Sequence, residues 1–380
     1  MMKTPTKPPP RNRKEVSSIN HIQEITVSRR VAFGPNAVQR IPSVCEDIGI
    51  KNIQLFSGST FSKEITEKII IPKLEGKLDF SHEVLPETVA LESLQTLASA
   101  IPDRQTYLMA VGGGKIIDLV KVIASLSRTE YVAVPTNASH DGFSSPYINF
   151  LLREKMMKAQ KNSSFPGYIP ISPLAIVGDT KLISKAPVIS LTAGVGDVLS
   201  KWVAVRDWRL AQRLKGENFD IYAATFSEMT ANMVEERVKS LKRHFFSEKG
   251  VRALIKALGS CGVAMCIAGS SRPASGSEHL VSHTLDKLSS DYDFKIAHGH
   301  QTGISSILMM YLHGGNWKRI RNILSEVKAP VTLHQLGIDR DIMLKALLEA
   351  HEIRPERYTI LSEGLTKNAA ETAIEMTELD

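Results

Sequence analysis

The chain has 380 residues, 43% of them hydrophobic and 23% charged, enough to bury a large core and to divide into two domains. Its formal charge of +7 is concentrated at one end, because Lys3, Lys7, Arg11, Arg13 and Lys14, less Glu15, place +4 within the first fifteen residues and leave about +3 for the rest. That balance argues against a basic nucleic-acid face and fits a modest preference for anionic small molecules such as phosphates.

The opening stretch MMKTPTKPPPRNRKEVSS is rich in proline and base and has no apolar periodicity, so residues 1–20 read as a disordered tail. PTKPPP cannot form the amphipathic helix of a transit peptide, and no apolar segment follows it for secretion. With no uninterrupted apolar run of membrane-spanning length, no transmembrane segment is expected. The three cysteines, Cys45, Cys261 and Cys266, form no CxxC pair. They fit a reducing cytoplasm and offer neither a disulfide framework nor a cysteine metal site.

From about residue 31, short apolar runs alternate with helical patterns. NIQLFSG, DFSHEVL, TYLMAVG and YVAVPT predict strands, and 61–76, 87–101 and 115–127 predict helices. Such alternation implies a parallel sheet covered by helices, with ligands at the carboxyl ends of the strands. After about residue 186 the strand signals vanish and helical patterns take over at 219–243, 249–268 and 303–312. The expected organisation is an α/β nucleotide-binding domain over 21–185 and an all-α domain over 186–380.

Four motifs carry chemistry. In TYLMAVGGGKIIDLVKVIA a strand ends in Gly112, Gly113 and Gly114 and runs directly into a helix, an arrangement that presents backbone amides to a pyrophosphate. The competing reading is a tight turn that needs positive φ. The next strand ends in VPTNASHDGFSSP, a polar loop placed to touch whatever the glycine turn binds, with Asp141 able to hold substrate hydroxyls or a metal-bound water. In SLTAGVGDVLSKW, Gly194 and Gly196 precede Asp197 where helical periodicity begins, making Asp197 an N-cap or first-turn residue or else a metal ligand. Finally, four of the eleven histidines fall within SEHLVSHTLD and IAHGHQTG. His279 and His283 share one helical face, whereas His298 and His300 point apart on a helix. Asp197 with two histidines would leave a coordination position open, and spacing alone does not say which two.

GGGKIID, VPTNASHDGFSSP, AGVGD, SGSEHLVSH, AHG and IRPERYTIL occur in an order and spacing that resemble the sn-glycerol-1-phosphate dehydrogenases. These belong to the superfamily of glycerol dehydrogenase, iron-dependent alcohol dehydrogenases and 3-dehydroquinate synthase. The resemblance runs from about residue 22 to 380 and leaves the tail unmatched. It implies a dehydroquinate synthase-like fold, with a divalent metal held by Asp197, His279 and His298; zinc is suggested, and the ligand set also accepts iron or nickel. It places Asp141, Asp197 and His283 at the substrate, with Asp197 and His283 catalytic. It sets the nicotinamide cofactor along Gly112, Gly113, Gly114, Lys115, Ile116, Ile117 and Asp118, then Thr136, Asn137, Ala138 and Ser139, with Ser145 in reach.

The implied reaction is metal-assisted hydride transfer from NADH or NADPH to dihydroxyacetone phosphate, giving sn-glycerol 1-phosphate for ether-lipid synthesis by a homo-oligomer. No acidic residue follows NIQLFSG to repel a 2′-phosphate, so both cofactors fit. Arg354 and Arg357 could meet the substrate phosphate but read more readily as ion-pair partners of Glu352 and Glu356, and Lys201 is the better phosphate candidate. One departure stands out: His298-Gly299-His300 replaces the family's common HGE, which alters local charge and any hydrogen bond beyond the ligands. The rival readings are a polyol dehydrogenase or cyclase of the same fold, and a binder recruited to an anionic partner by the tail.

Overall fold

A computed structural model describes residues 23–86, 88–102, 105–162 and 167–380, so the tail expected over 1–20 lies outside the described residues. Six strands, β1 (Arg30–Gly34), β2 (Asn52–Gly58), β3 (Asp79–Leu85), β4 (Thr106–Gly112), β5 (Tyr131–Pro135) and β6 (Ala175–Asp179), form one sheet. Its order is β1-β6-β5-β4-β2-β3 and every pairing is parallel. The four strands expected from periodicity are present. RVAFG and AIVGD were not anticipated.

The central strands are apolar throughout because both faces are covered. Leu108 and Ala110 of β4 face one core, with helices Leu91–Ser99 and Gly114–Ser127. Met109 and Val111 face the other, with helix Ile41–Asp47 and the segment 61–74. That segment was expected as one helix but has a π turn over Thr66–Ile70, just before Pro72, whose missing N–H interrupts the i→i−4 ladder. From β2 the chain passes outward to β3 and then back across β2 to β4, so strand order reverses between β2 and β4. The glycine turn after β4 therefore stands where such sheets open a ligand crevice.

Beyond Asp179 the described chain is helical. The principal helices are Val188–Leu199, Lys201–Lys215, Ile221–Leu241, Glu248–Ala268, Ser277–Tyr292 and His298–Leu312. Asp220 caps one through the Ala223 N–H at 2.9 Å, and Gly216 and Gly269 end two others in the left-handed conformation. The continuous helical span Val188–Lys215 and helix Glu248–Ala268 are long and apolar enough to cross a membrane, but 83% and 56% of their most apolar windows are buried inside the protein. Their apolarity is spent on a core that continues from one face of the sheet into the helices.

Candidate active site

The glycine turn works by close approach. None of Gly112, Gly113 and Gly114 has positive φ, which removes the tight-turn explanation. A Cβ on Gly113 would stand 2.8 Å from Asn137 Nδ2, and one on Gly114 only 2.0 Å from His140 Nε2. The polar loop after β5 thus closes directly over the start of helix Gly114–Ser127, which no side chain caps. Ile116 and Ile117 bury their side chains, so an anion there can meet the backbone at Gly114, Lys115 and Ile116 together with the exposed Lys115 side chain. Thr136 donates its N–H to Gly112 O at 3.0 Å, and Ser139 Oγ donates to Asn137 Oδ1 at 3.1 Å. The Asp118 carboxylate is occupied by Lys121 at 3.1 Å and the Asn149 N–H at 2.9 Å. Ser145 is buried beside it and lines the same cavity as Asp118.

Asp197 lies in the last turn of helix Val188–Leu199 and is neither an N-cap nor a first-turn residue. The glycines before it let backbones meet: a Cβ on Gly194 would reach 1.9 Å from Ala138 O, and one on Gly196 would reach 2.0 Å from Gly299 O. This contact draws the start of helix His298–Leu312 against Asp197. His279 and His283 occupy successive turns of helix Ser277–Tyr292, whose start is tied down by the Ser277 N–H donating to Asp207 at 2.6 Å.

One ligand atom from each of Asp197, His279 and His298 converges so that all lie within 4.8 Å of one another. His279 Nδ1 is 2.7 Å from Glu278 Oε1, leaving Nε2 facing Asp197 Oδ1 at 3.8 Å. His298 Nδ1 is 3.2 Å from Ser282 Oγ, which donates to Gln301 Oε1 at 2.6 Å; Gln301 Nε2 donates to Asp286 at 3.0 Å. Both rings are thereby held with the other nitrogen available to an ion. Burial, reinforced by Lys201, pushes the His279 imidazole down to about 4; burial, with His279, pushes His298 down to about 3. Both are neutral near pH 7, as ligands must be. Burial alone would raise Asp197, but the charge of Lys201, with His298 and His279 close by, holds it below the ordinary carboxylate range.

Lys201 overturns its expected role as phosphate ligand. Fully buried, it sits 2.9 Å from Asp141 Oδ2 and 3.1 Å from Asp197 Oδ1. Burial would strip its proton, but the two carboxylates hold it charged. The Asp141 backbone N–H also donates to Asp197 Oδ2 at 2.9 Å. Two carboxylates around one ammonium leave negative charge unbalanced in a buried place, and with two neutral imidazoles this donor set suits a divalent cation.

The triad's histidines border a cavity of about 620 Å³ that His140, Asp141 and His283 also line. His283 stacks on Phe150 with centroids 4.4 Å apart, and its buried Nδ1 has no partner among the described residues. His140 joins the two halves of the site, lying against Gly114 and with its ring centroid 5.9 Å from that of His298. His140 and Glu278 were not singled out from sequence; in SEH, a carboxylate next to a ligand histidine was the available signal. Arg354 pairs with Glu356 at 3.0 Å as expected, whereas Arg357 forms no such pair and points its guanidinium at Ser271 Oγ, 2.8 Å away. His300 turns away from the triad to Thr192 Oγ1 at 2.8 Å, so the substitution for glutamate touches none of the three ligands.

Residues 32–187 match the model of the iron-containing alcohol dehydrogenase family. A glycerol-1-phosphate dehydrogenase (NAD(P)+) of Caldivirga maquilingensis is 40% identical over 94% of this chain and 99% of its own length. One from Methanosarcina mazei is 40% identical over 95% and 98%. Among solved structures, a probable glycerol dehydrogenase from Sinorhizobium meliloti superposes with a TM-score of 0.71 at 18% identity, covering 94% of this chain and 98% of that one. The last likeness concerns the fold alone; on the full-length matches, this chain belongs to the glycerol-1-phosphate dehydrogenase (NAD(P)+) family.

Proposed function

We propose that the protein reduces dihydroxyacetone phosphate to sn-glycerol 1-phosphate with NADH or NADPH, around one divalent cation held by Asp197, His279 and His298. The observation that carries this reading is the convergence of those three ligand atoms within 4.8 Å beside a cavity that also reaches the glycine-turn loop. The bound cation supplies Lewis acidity toward a carbonyl oxygen, and the nicotinamide supplies hydride. Zinc is the proposed ion, and iron or nickel suits the same donors.

The chain's own groups supply the rest. The open amides at Gly114, Lys115 and Ile116 receive the cofactor pyrophosphate, and Thr136, Asn137, Ala138 and Ser139 wall that crevice. Asp141, fixed by Lys201, accepts a substrate hydroxyl. Burial, with His279 and His298 close by, holds His283 well below its ordinary basicity, so it meets the substrate as a neutral imidazole with one N–H and one lone pair. Hydride adds to C2 and a proton to its oxygen, and that proton comes through a bound water or by way of His283. The sn-1 configuration and the ether-lipid role come with the family.

Assays of NADH and NADPH oxidation with dihydroxyacetone phosphate, dihydroxyacetone and both glycerol phosphates test the reading. Stoichiometric oxidation with dihydroxyacetone phosphate is expected. A preference for unphosphorylated polyols would make it a polyol dehydrogenase, and the absence of net oxidation would make it a cyclase.

A further inference from the structure

Arg153, Arg354 and Arg357 line the cavity, and Arg272 lies close enough for its charge to act on Arg354 and Arg357; of the four, only Arg272 and Arg354 have carboxylates. Arg272 is paired with Glu217 and Arg354 with Glu356. Arg357 is buried, 7% exposed, and no carboxylate oxygen lies within 4.0 Å of it among the described residues. It donates instead to Ser275 O and to Ser271 Oγ, two neutral acceptors for a group with five N–H donors. Arg153 likewise has no carboxylate within that range among the described residues. Arg153, Arg354 and Arg357 all line the cavity that contains His279, His283 and His298. The carboxylates sharing the cavity are committed elsewhere: Asp118 to Lys121, Asp141 to Lys201, and Asp286 to Gln301.

A buried cation without a counter-ion is costly, and two more guanidiniums beside it increase that cost. Burial first, then Arg354 and Arg272, pushes Arg357 down to about 9, while the charges of Arg354 and Arg357 reach His283 and further reduce its basicity. A dianion entering the cavity removes this imbalance, and the planar guanidinium fork matches phosphate oxygens two at a time.

We propose that Arg357, flanked by Arg153 and Arg354, seats the phosphate of the substrate and thereby selects a phosphorylated triose over its free form. This deepens, and rests on, the dihydroxyacetone phosphate reduction proposed above.

The test compares wild type, Arg357→Ala and Arg357→Lys, all metal-loaded, on dihydroxyacetone phosphate and on dihydroxyacetone. The ratio of the two kcat/KM values falls roughly 100-fold in Arg357→Ala, about 2.8 kcal/mol, and less in Arg357→Lys, since one partner of a desolvated charge pair is lost. Inorganic phosphate, a competitor against dihydroxyacetone phosphate in wild type, weakens in parallel. An unchanged ratio overturns the proposal, as does a raised KM for NADH or NADPH at constant ratio, which would assign the cluster to cofactor phosphates. If Arg357→Ala does not fold, Arg153→Ala and Arg354→Ala are read by the same ratio. A wild type inactive on dihydroxyacetone phosphate defeats the reaction instead. The cluster then stands on calorimetry, supported if inorganic phosphate binds wild type and not the variant, and overturned if wild type binds none.

Discussion

Removing the Lys201 ammonium would leave Asp141 and Asp197 facing each other with no cation between them. Lys201→Ala therefore costs about 3–5 kcal/mol in metal-free protein, read by denaturant unfolding, and less once a divalent cation is added. Glu278 gives a pH signature of opposite kind. Burial, then the charge of Asp207, pushes its carboxyl from 4.5 up to about 8 in the folded chain. A raised folded value means that its contribution is fully present below 4.5 and is lost as pH rises through about 8. Metal-free protein accordingly loses stability across that window, and Glu278→Gln flattens the loss in unfolding curves taken at pH 5 to 9. At this scale the candidate triad came from the family resemblance carried by SHDGFSSP and SGSEHLVSH, because spacing alone left open which two histidines join Asp197. The surroundings of Lys201 and Glu278 were not legible, and for Arg357 the sequence offered a phosphate contact but favoured an ion pair, because each depends on partners such as Asp141, Asp207 and Ser271 that folding brings from elsewhere in the chain.

The three candidate ligands come from three different helices, so their convergence depends on how closely the backbones pack. Gly196 and Gly299 face each other across helices Val188–Leu199 and His298–Leu312, and a Cβ on Gly299 would come 1.8 Å from Ala193 O. Gly196→Ala forces these helices apart, costing about 1–3 kcal/mol by overpacking. It moves Asp197 away from His298, and metal titration of the folded variant should show weaker binding. The sequence placed strands 52–58, 79–85, 106–112 and the core of 131–135 well, because each joins an apolar run to a turn. It misplaced Asp197 at a helix start, since glycines usually mark helix ends and here serve contact inside one.

At the scale of the molecule, the parallel sheet contributes the glycine turn and its neighbouring loop, the helical part contributes the ligands, and one cavity touches both. The order of the motifs along the chain carried that organisation, while the cavity's cationic corner emerged only from the packing of 153, 272, 354 and 357 together. The central claim is that Asp197, His279 and His298 hold the cation on which turnover depends. Its most direct test is anaerobic purification with metal analysis of wild type and His279→Ala, followed by chelation and assay with dihydroxyacetone phosphate. One divalent ion per wild-type chain is expected, with activity lost on chelation and restored by added metal, and neither ion nor activity in His279→Ala. Full activity of chelated His279→Ala would contradict it.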